Sequence, residues 1–361
     1  VSLEHLVELQ QARAFDPVPP QHDLHDLHVP FDSLLERGEG AGWESALDAA
    51  LRRGERVAVV GASGEGKSSL MAYVLGPLVE GLAPLPVPVT LVDDATVTDP
   101  ARFATHLVQV IARYVDRALP KGAAAAGGIA DLTPRHARTR HGFTVAPEWM
   151  GARLELTYQL QVAAEAASAP SGLDRVEAAR SLIDLVEQHG LRVVLVLDDT
   201  DKWTRGRGGH GDRGRRQGFF GRVIRLIAEH LGCSAVVAVH PSYLQDEAYR
   251  TAAQGFLSAP IRVPRLTGAA AVGSIFAHRE QIAAAAKPPV RHAAVRDDGS
   301  GPAAWSPAAV ETAYDKYAAG EVRNLRSLLY LAHTTLSVAC RSEAEQIEAT
   351  HVDLAIRELA D

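Results

Sequence analysis

Residues 56–70 read Arg56-Val57-Ala58-Val59-Val60-Gly61-Ala62-Ser63-Gly64-Glu65-Gly66-Lys67-Ser68-Ser69-Leu70. The apolar run 56–60, bounded by glycine on both sides, has the length and β-branched content of a buried strand. KSSLMAYVLGPLV then supplies a helical pattern, so a glycine-rich loop sits between a strand and a helix. That loop is a complete GxxxxGK[ST] in the strand–loop–helix context the motif requires. Glycines let successive backbone N–H groups converge on phosphate oxygens, and the helix N-terminus adds its positive dipole end. The set Gly61, Ala62, Ser63, Gly64, Glu65, Gly66, Lys67, Ser68 and Ser69 is therefore the expected phosphate cradle. Lys67 reaches the β- and γ-phosphates, and Ser68 is the expected magnesium ligand. The alternative, a glycine turn with a coincidental lysine, must satisfy every specified position by chance.

Working outward, a helix is expected over 44–52, strands over 56–60, 87–94 and 192–197, and shorter strands over 234–239 and 261–263. Helices are expected over 101–119, 152–167, 173–189 and 219–231. Strands alternating with helices imply right-handed crossovers and a parallel α/β sheet. The unbroken run Arg192–Leu197 suits a central strand with both faces covered. Beyond Pro264 only helices are expected, at 268–286, 307–318, 321–341 and 349–360. The expected architecture is a three-layer P-loop NTPase sheet domain over 31–265 followed by a small all-helical lid over 266–361. Residues 1–30 are expected as a leader, and the stretch near 120–175 as an insertion.

The strand 192–197 ends in Asp198-Asp199-Thr200-Asp201. Asp198 would emerge beside the phosphate loop if the two strands are neighbours, and its carboxylate can hold the magnesium hydration shell. Asp199 is the candidate to orient the attacking water, with a shorter reach than a glutamate. Helix capping or a solvated turn is the plain alternative for both. Arg323, near the start of the helix expected from 321, is a candidate to sense the γ-phosphate; an exposed surface arginine is the alternative.

After the acidic tip come Arg205, Arg207, Arg213, Arg215 and Arg216, with Asp212 as the opposing charge. Interleaved glycines would keep this segment mobile and let it fold on a polyanion, so DNA contact, protein contact and a solvated loop all remain open. Phe219 and Phe220 read as core. Arg135, His136, Arg138, Arg140 and His141 lie in the insertion and could extend a basic surface.

Composition narrows the rest. In 361 residues, 47% are hydrophobic, enough for a sizeable core, and the net charge of -7 excludes a polycation that coats nucleic acid indiscriminately. Cys233 and Cys340 stand alone in apolar runs, as buried thiols do. His22, His25 and His28, three apart, are read as part of a polar linker in preference to a metal site. No apolar run reaches the length of a membrane span, and a cytoplasmic location is expected.

These motifs resemble those of the AAA+ class of P-loop ATPases, especially its initiator and origin-recognition branch, with STAND signalling ATPases as near neighbours. In the resemblance GASGEGKS is Walker A, VLVLDD is Walker B, His240 takes the sensor-one position and Arg323 looks like sensor two. It implies ATP and Mg2+ as cofactors, ATP hydrolysis, and homo-oligomers in which an arginine of one subunit completes the next subunit's site. Arg250 best matches that arginine, with Arg262 and Arg265 as competitors. Two departures, Asp199 where the class has glutamate and His240 where it has asparagine, threonine or serine, imply slow hydrolysis. A small-molecule kinase and an ATP-dependent assembly module are the other readings.

Overall fold

The structure is a computed structural model that describes residues 2–17, 24–35, 42–76, 83–89, 94–118, 172–188, 191–204, 213–285 and 303–360. The proposed insertion, the helix expected over 152–167, His22, Arg205, Arg207 and the basic residues 135–141 lie outside the described residues. Elements in chain order are α1 (Leu3–Gln11), α2 (Phe31–Leu34), α3 (Trp43–Arg52), β1 (Arg56–Val60), α4 (Lys67–Leu75), β2 (Ala83–Pro88), α5 (Asp94–Thr98), α6 (Pro100–Ala118), α7 (Gly172–Gln188), β3 (Leu191–Leu197) and α8 (Thr200–Thr204). There follow α9 (residues 213–231), β4 (Ser234–Val239), a 3-10 turn (Pro241–Gln245), a π turn (Tyr249–Ala253), β5 (Ser258–Arg262), α10 (Ala269–Ala285), α11 (Pro307–Ala318), α12 (Leu325–Arg341) and α13 (Ala349–Ala360). The chain divides into two compact units: a helical one of Val1–Ala46, Gly61–Gly76 and Arg262–Asp361, and a sheet one of Leu47–Val60 and Pro77–Ile261.

In the sheet unit the strand order is β2-β3-β4-β1-β5. The β2–β3, β3–β4 and β4–β1 pairs are all parallel. β4 therefore lies between β1 and β3, which are not neighbours as the reading of Asp198 supposed. β1 and β3 nevertheless end on the same carboxyl edge: Val60 is opposite Val239 and Leu197 opposite Val237. Ala58, Val60, Val193, Leu195, Val237 and Val239 pack with Phe103, Leu107, Ile183, Phe219 and Phe220 in one core. Val57, Val59, Val194 and Val236 on the opposite face are 0% exposed too, as a parallel sheet requires.

The second strand is shifted from its expected place. Residues 83–88 form it, and the expectation of 87–94 followed the apolar run VPVTLV past the real ladder. Three prolines alternate along it, at 84, 86 and 88. Val89 N–H donates to Val196 C=O at 2.9 Å, so the odd residues face β3 and the prolines, which have no N–H, face the outer edge. An edge strand is where such a sequence is tolerated.

Of the first thirty residues, expected as a leader, the described ones belong to the helical unit. Leu6, Leu9, Ala14 and Phe15 share a core with Phe276, Trp305, Leu328 and Leu336. Phe15 meets Phe276 edge-on at 5.5 Å and Trp305 at 5.7 Å, a favoured aromatic geometry. α12 begins at Leu325 rather than 321, because Asn324 is its N-cap and accepts from Ser327 N–H at 2.8 Å. Arg323 thus precedes the helix, and it is exposed. Cys233 is buried, which pushes its thiol up to about 12 and leaves it inert; Cys340 is half-buried.

Candidate functional site

The loop 61–68 has the backbone its glycines license. Gly64 has φ 82 and Gly66 φ 99, both in the left-handed region that side chains rarely adopt. Gly66 caps α4 without any side-chain hydrogen bond, so the first amides of the helix are donors for an anion. Lys67 Nζ donates to the carbonyls of Gly61 at 2.7 Å and Ala62 at 2.9 Å, bracing the loop from within. Glu65 Oε2 accepts from Ala62 N–H at 2.6 Å, so a carboxylate already exploits one of the loop's donors. Donor amides, a lysine and a hydroxyl at Ser68 form a set that fits a magnesium-bound triphosphate.

Residues distant in sequence hold that loop, and no local pattern announces them. Arg326 N–H donates to Gly64 C=O at 3.0 Å. A Cβ at Gly64 would lie 2.8 Å from Asn324 Oδ1 and 2.9 Å from Arg326 Cβ. The helix expected to carry a phosphate sensor therefore grips the loop through the backbone next to its N-cap. Gly64→Ala is expected to destabilise the helical unit by about 2 kcal/mol, from the left-handed backbone and the displaced cap together. Chemical denaturation of the two proteins checks this; equal midpoints would mean that the contact with Asn324 yields freely.

On the sheet unit's carboxyl edge, Asp198 Oδ1 accepts from Asp199 N–H at 2.7 Å. Asp199 has φ 53, uncommon outside glycine, and its carboxylate pairs with Lys202 at 2.5 Å in an exposed position. The turn after it is anchored more firmly. The buried Thr200 hydroxyl bonds Ala238 C=O, and Thr204 Oγ1 is 2.8 Å from Tyr243 Oη. His240 lies on the same edge, after β4. Its Nδ1 accepts from Ser242 N–H at 3.2 Å, capping the 3-10 turn, which leaves the proton of a neutral ring on Nε2 as a donor.

Of the arginine-rich segment only residues 213–218 are described, and they are helical where a loop was expected. Arg213, Arg215 and Arg216 lie in the first turns of α9, which begins six residues before the expected Phe219. Gly218 does not loosen this stretch: a Cβ there would be 2.8 Å from Thr98 Cα, so glycine permits α9 to approach α5. Arg213 lies 3.1 Å from Glu247 and Arg216 3.2 Å from Asp246, so part of the basic charge is answered within the unit. Phe219 and Phe220 are 0% exposed, as core residues. Arg250 is exposed on the π turn, Arg262 is exposed at the end of β5, and the Arg265 guanidinium lies 5.4 Å from the centre of the Tyr317 ring.

The histidines of the first thirty residues were read as linker, and His28 is instead buried. Its Nε2 is 2.9 Å from Glu44 Oε1 and its Nδ1 2.9 Å from Ser69 Oγ. His25 stacks on Tyr73 with ring centres 5.4 Å apart. Among the described residues no group of three or more His, Cys, Asp or Glu side chains could hold a metal ion, and no helix is long and apolar enough to cross a membrane.

No protein-family profile matches the sequence. No curated protein matches it either. Among solved structures, the chain is similar to the Aeropyrum pernix ORC1 protein in complex with DNA, at 16% sequence identity and a TM-score of 0.48, over 96% of this chain and 69% of that one.

Proposed function

We propose that this chain is an ATP-binding switch of the AAA+ kind, in which nucleotide state controls assembly and the binding of a nucleic-acid or protein partner. The observation that carries the reading is the loop 61–68 itself. Two left-handed glycines, a lysine braced on the loop carbonyls and an uncapped helix start support the reading of a triphosphate cradle. Ser68 and Asp198 are the proposed holders of magnesium, which supplies charge neutralisation to the phosphates when bound. Asp199 is the proposed residue for orienting water, His240 a donor toward the phosphates, and Arg323 the sensor from the helical unit; Arg250 is the proposed arginine acting between copies.

Arg213, Arg215 and Arg216, with Arg205 and Arg207, are the proposed contact for DNA. Because Glu247 and Asp246 already pair with two of them, a polyanion must displace these carboxylates, and binding should weaken steeply with salt. Calorimetric titration of the full chain with ATP tests the central claim. Saturable binding that strengthens with magnesium supports it; no heat at millimolar ATP overturns it.

A second reading, ATP as an assembly ligand with little turnover, is favoured by one observation. The Asp199 carboxylate is paired with Lys202. Phosphate release from wild type and Asp199→Asn separates the two: a fall in the variant supports the catalytic role, and equal rates dismiss it. Masses measured with ADP and with a nonhydrolysable ATP analogue report assembly.

A further inference from the structure

We propose that the helical unit carries a second ligand site, a cavity between α10 and α11, and that it takes a compact organic ammonium whose apolar body fills the cavity and whose charge meets Glu280. Nucleotide binding plays no part in it.

The cavity has a volume of about 320 Å3, a size that small-molecule sites have, and its lining belongs wholly to that unit. Along α10 it is lined by Gly273, Phe276, Ala277 and Glu280, at the three- and four-residue steps that bring side chains onto one helix face. Trp305, just before α11, and Val310, within it, line the other side. Gly273 and Ala277 put little or no side chain into the gap between the helices, and the space arises there. The Phe276 and Trp305 rings, with centres 4.4 Å apart, give it an aromatic wall.

Among the described residues Glu280 is the charged side chain of this lining. Its Oε2 accepts from Ala304 N–H at 3.2 Å, and no cation among those residues pairs with it. Its titratable neighbours on α10 are engaged with the N-terminal segment instead: Arg279 Nη1 donates to Asp16 C=O at 2.9 Å, and His278 Nε2 lies 2.8 Å from Asp26 C=O. From α11 and the residues before it the lining is apolar. A carboxylate held in an apolar recess is costly without a partner, and burial pushes this carboxyl up to about 7. An ammonium supplies both the missing charge and the missing donors, and an aromatic wall favours a cation further. An anion would be repelled, and a purely apolar guest would leave the carboxyl as poorly solvated as before. A divalent metal ion needs more oxygen ligands than one carboxylate, and among the described residues no group of three or more His, Cys, Asp or Glu side chains could hold one.

An alkylamine keeps its proton across neutral pH, so it selects the ionised carboxyl; binding displaces the proton that Glu280 holds below about pH 7 and tightens as pH rises. The test is calorimetric titration of the full chain with phenethylamine and with its neutral counterpart, phenethyl alcohol, at pH 6 and pH 8, on wild type, Glu280→Gln and Gly273→Leu. Wild type should bind the amine about tenfold more tightly than the alcohol at pH 8, and about tenfold more weakly at pH 6 than at pH 8. Glu280→Gln, which keeps the shape, should bind the amine no better than the alcohol and show no dependence on pH. A Cβ at Gly273 stands 3.4 Å from Val310 Cγ1, so a leucine there enters the cavity, and Gly273→Leu should bind neither compound. Four results would overturn the proposal: no saturable binding of the amine by wild type, an alcohol bound as tightly as the amine, an amine affinity equal in wild type and Glu280→Gln, or undiminished binding by Gly273→Leu. Should Gly273→Leu fail to fold, Glu280→Gln decides the matter through selectivity and pH dependence together. None of these outcomes bears on the phosphate cradle.

Discussion

Replacing Lys67 with alanine is expected to weaken MgATP binding about a hundredfold, equivalent to roughly 2.7 kcal/mol, with little change in thermal unfolding. The size follows from what the side chain supplies. Its ammonium is the cation of a loop whose other donors are neutral amides, and charge-assisted bonds are about twice as strong as neutral ones. It also braces the loop by donating to the carbonyls of Gly61 and Ala62 at 2.7 and 2.9 Å. Alanine removes both the cation and the brace. Lys67→Arg should recover little, because a planar fork cannot occupy the point between two carbonyls that a compact ammonium does. Titration calorimetry of the three proteins checks this, and equal affinity of the alanine variant and wild type would remove the basis for a nucleotide function.

The second large effect is on stability and concerns Glu280 in α10. Burial pushes its carboxyl up to about 7, partly offset by the bond it accepts from Ala304 N–H. The folded chain therefore holds this proton to about pH 7, whereas the unfolded chain releases it near 4.5. Between those values the folded state binds more protons, so its stability is full below the lower and declines as pH rises through the upper. The group's contribution to that decline is about 3 kcal/mol. Glu280→Gln, which keeps the shape and carries no charge, should remove this component and exceed wild type in stability at pH 8. Urea unfolding of both proteins at pH 5 and pH 8 measures it; identical pH slopes would show that the carboxyl reaches water before it ionises.

The parts that were legible from residues alone share a cause. β1, β3 and β4 are uninterrupted apolar runs, and such runs are what a strand covered on both faces must be, so the parallel sheet could be read directly. The loop 61–68 was legible as a glycine turn between a strand and a helix because its residues are consecutive, and Gly64 and Gly66 do take left-handed backbone there. What failed involved partners far apart. The burial of His28 depends on Glu44 and Ser69, and the grip on Gly64 depends on Asn324 and Arg326; neither pair leaves a period in the sequence. α1 was seen as amphipathic, yet the element that covers its apolar face begins hundreds of residues later. Gly218, one of the glycines read as loosening the arginine-rich stretch, instead marks close packing against Thr98. Composition reports local freedom; it is silent on tertiary contact.

The proline ladder of β2 bears on how copies of this chain can meet. A sheet propagates from molecule to molecule when the outermost strand offers a row of amides for a newcomer to bond. Among the described residues β2 is an outermost strand, and Pro84, Pro86 and Pro88 remove those amides in register, so that edge offers no row of N–H groups to a newcomer. A second strand meeting this edge would find acceptors but no donors, so backbone pairing there forfeits half of its bonds.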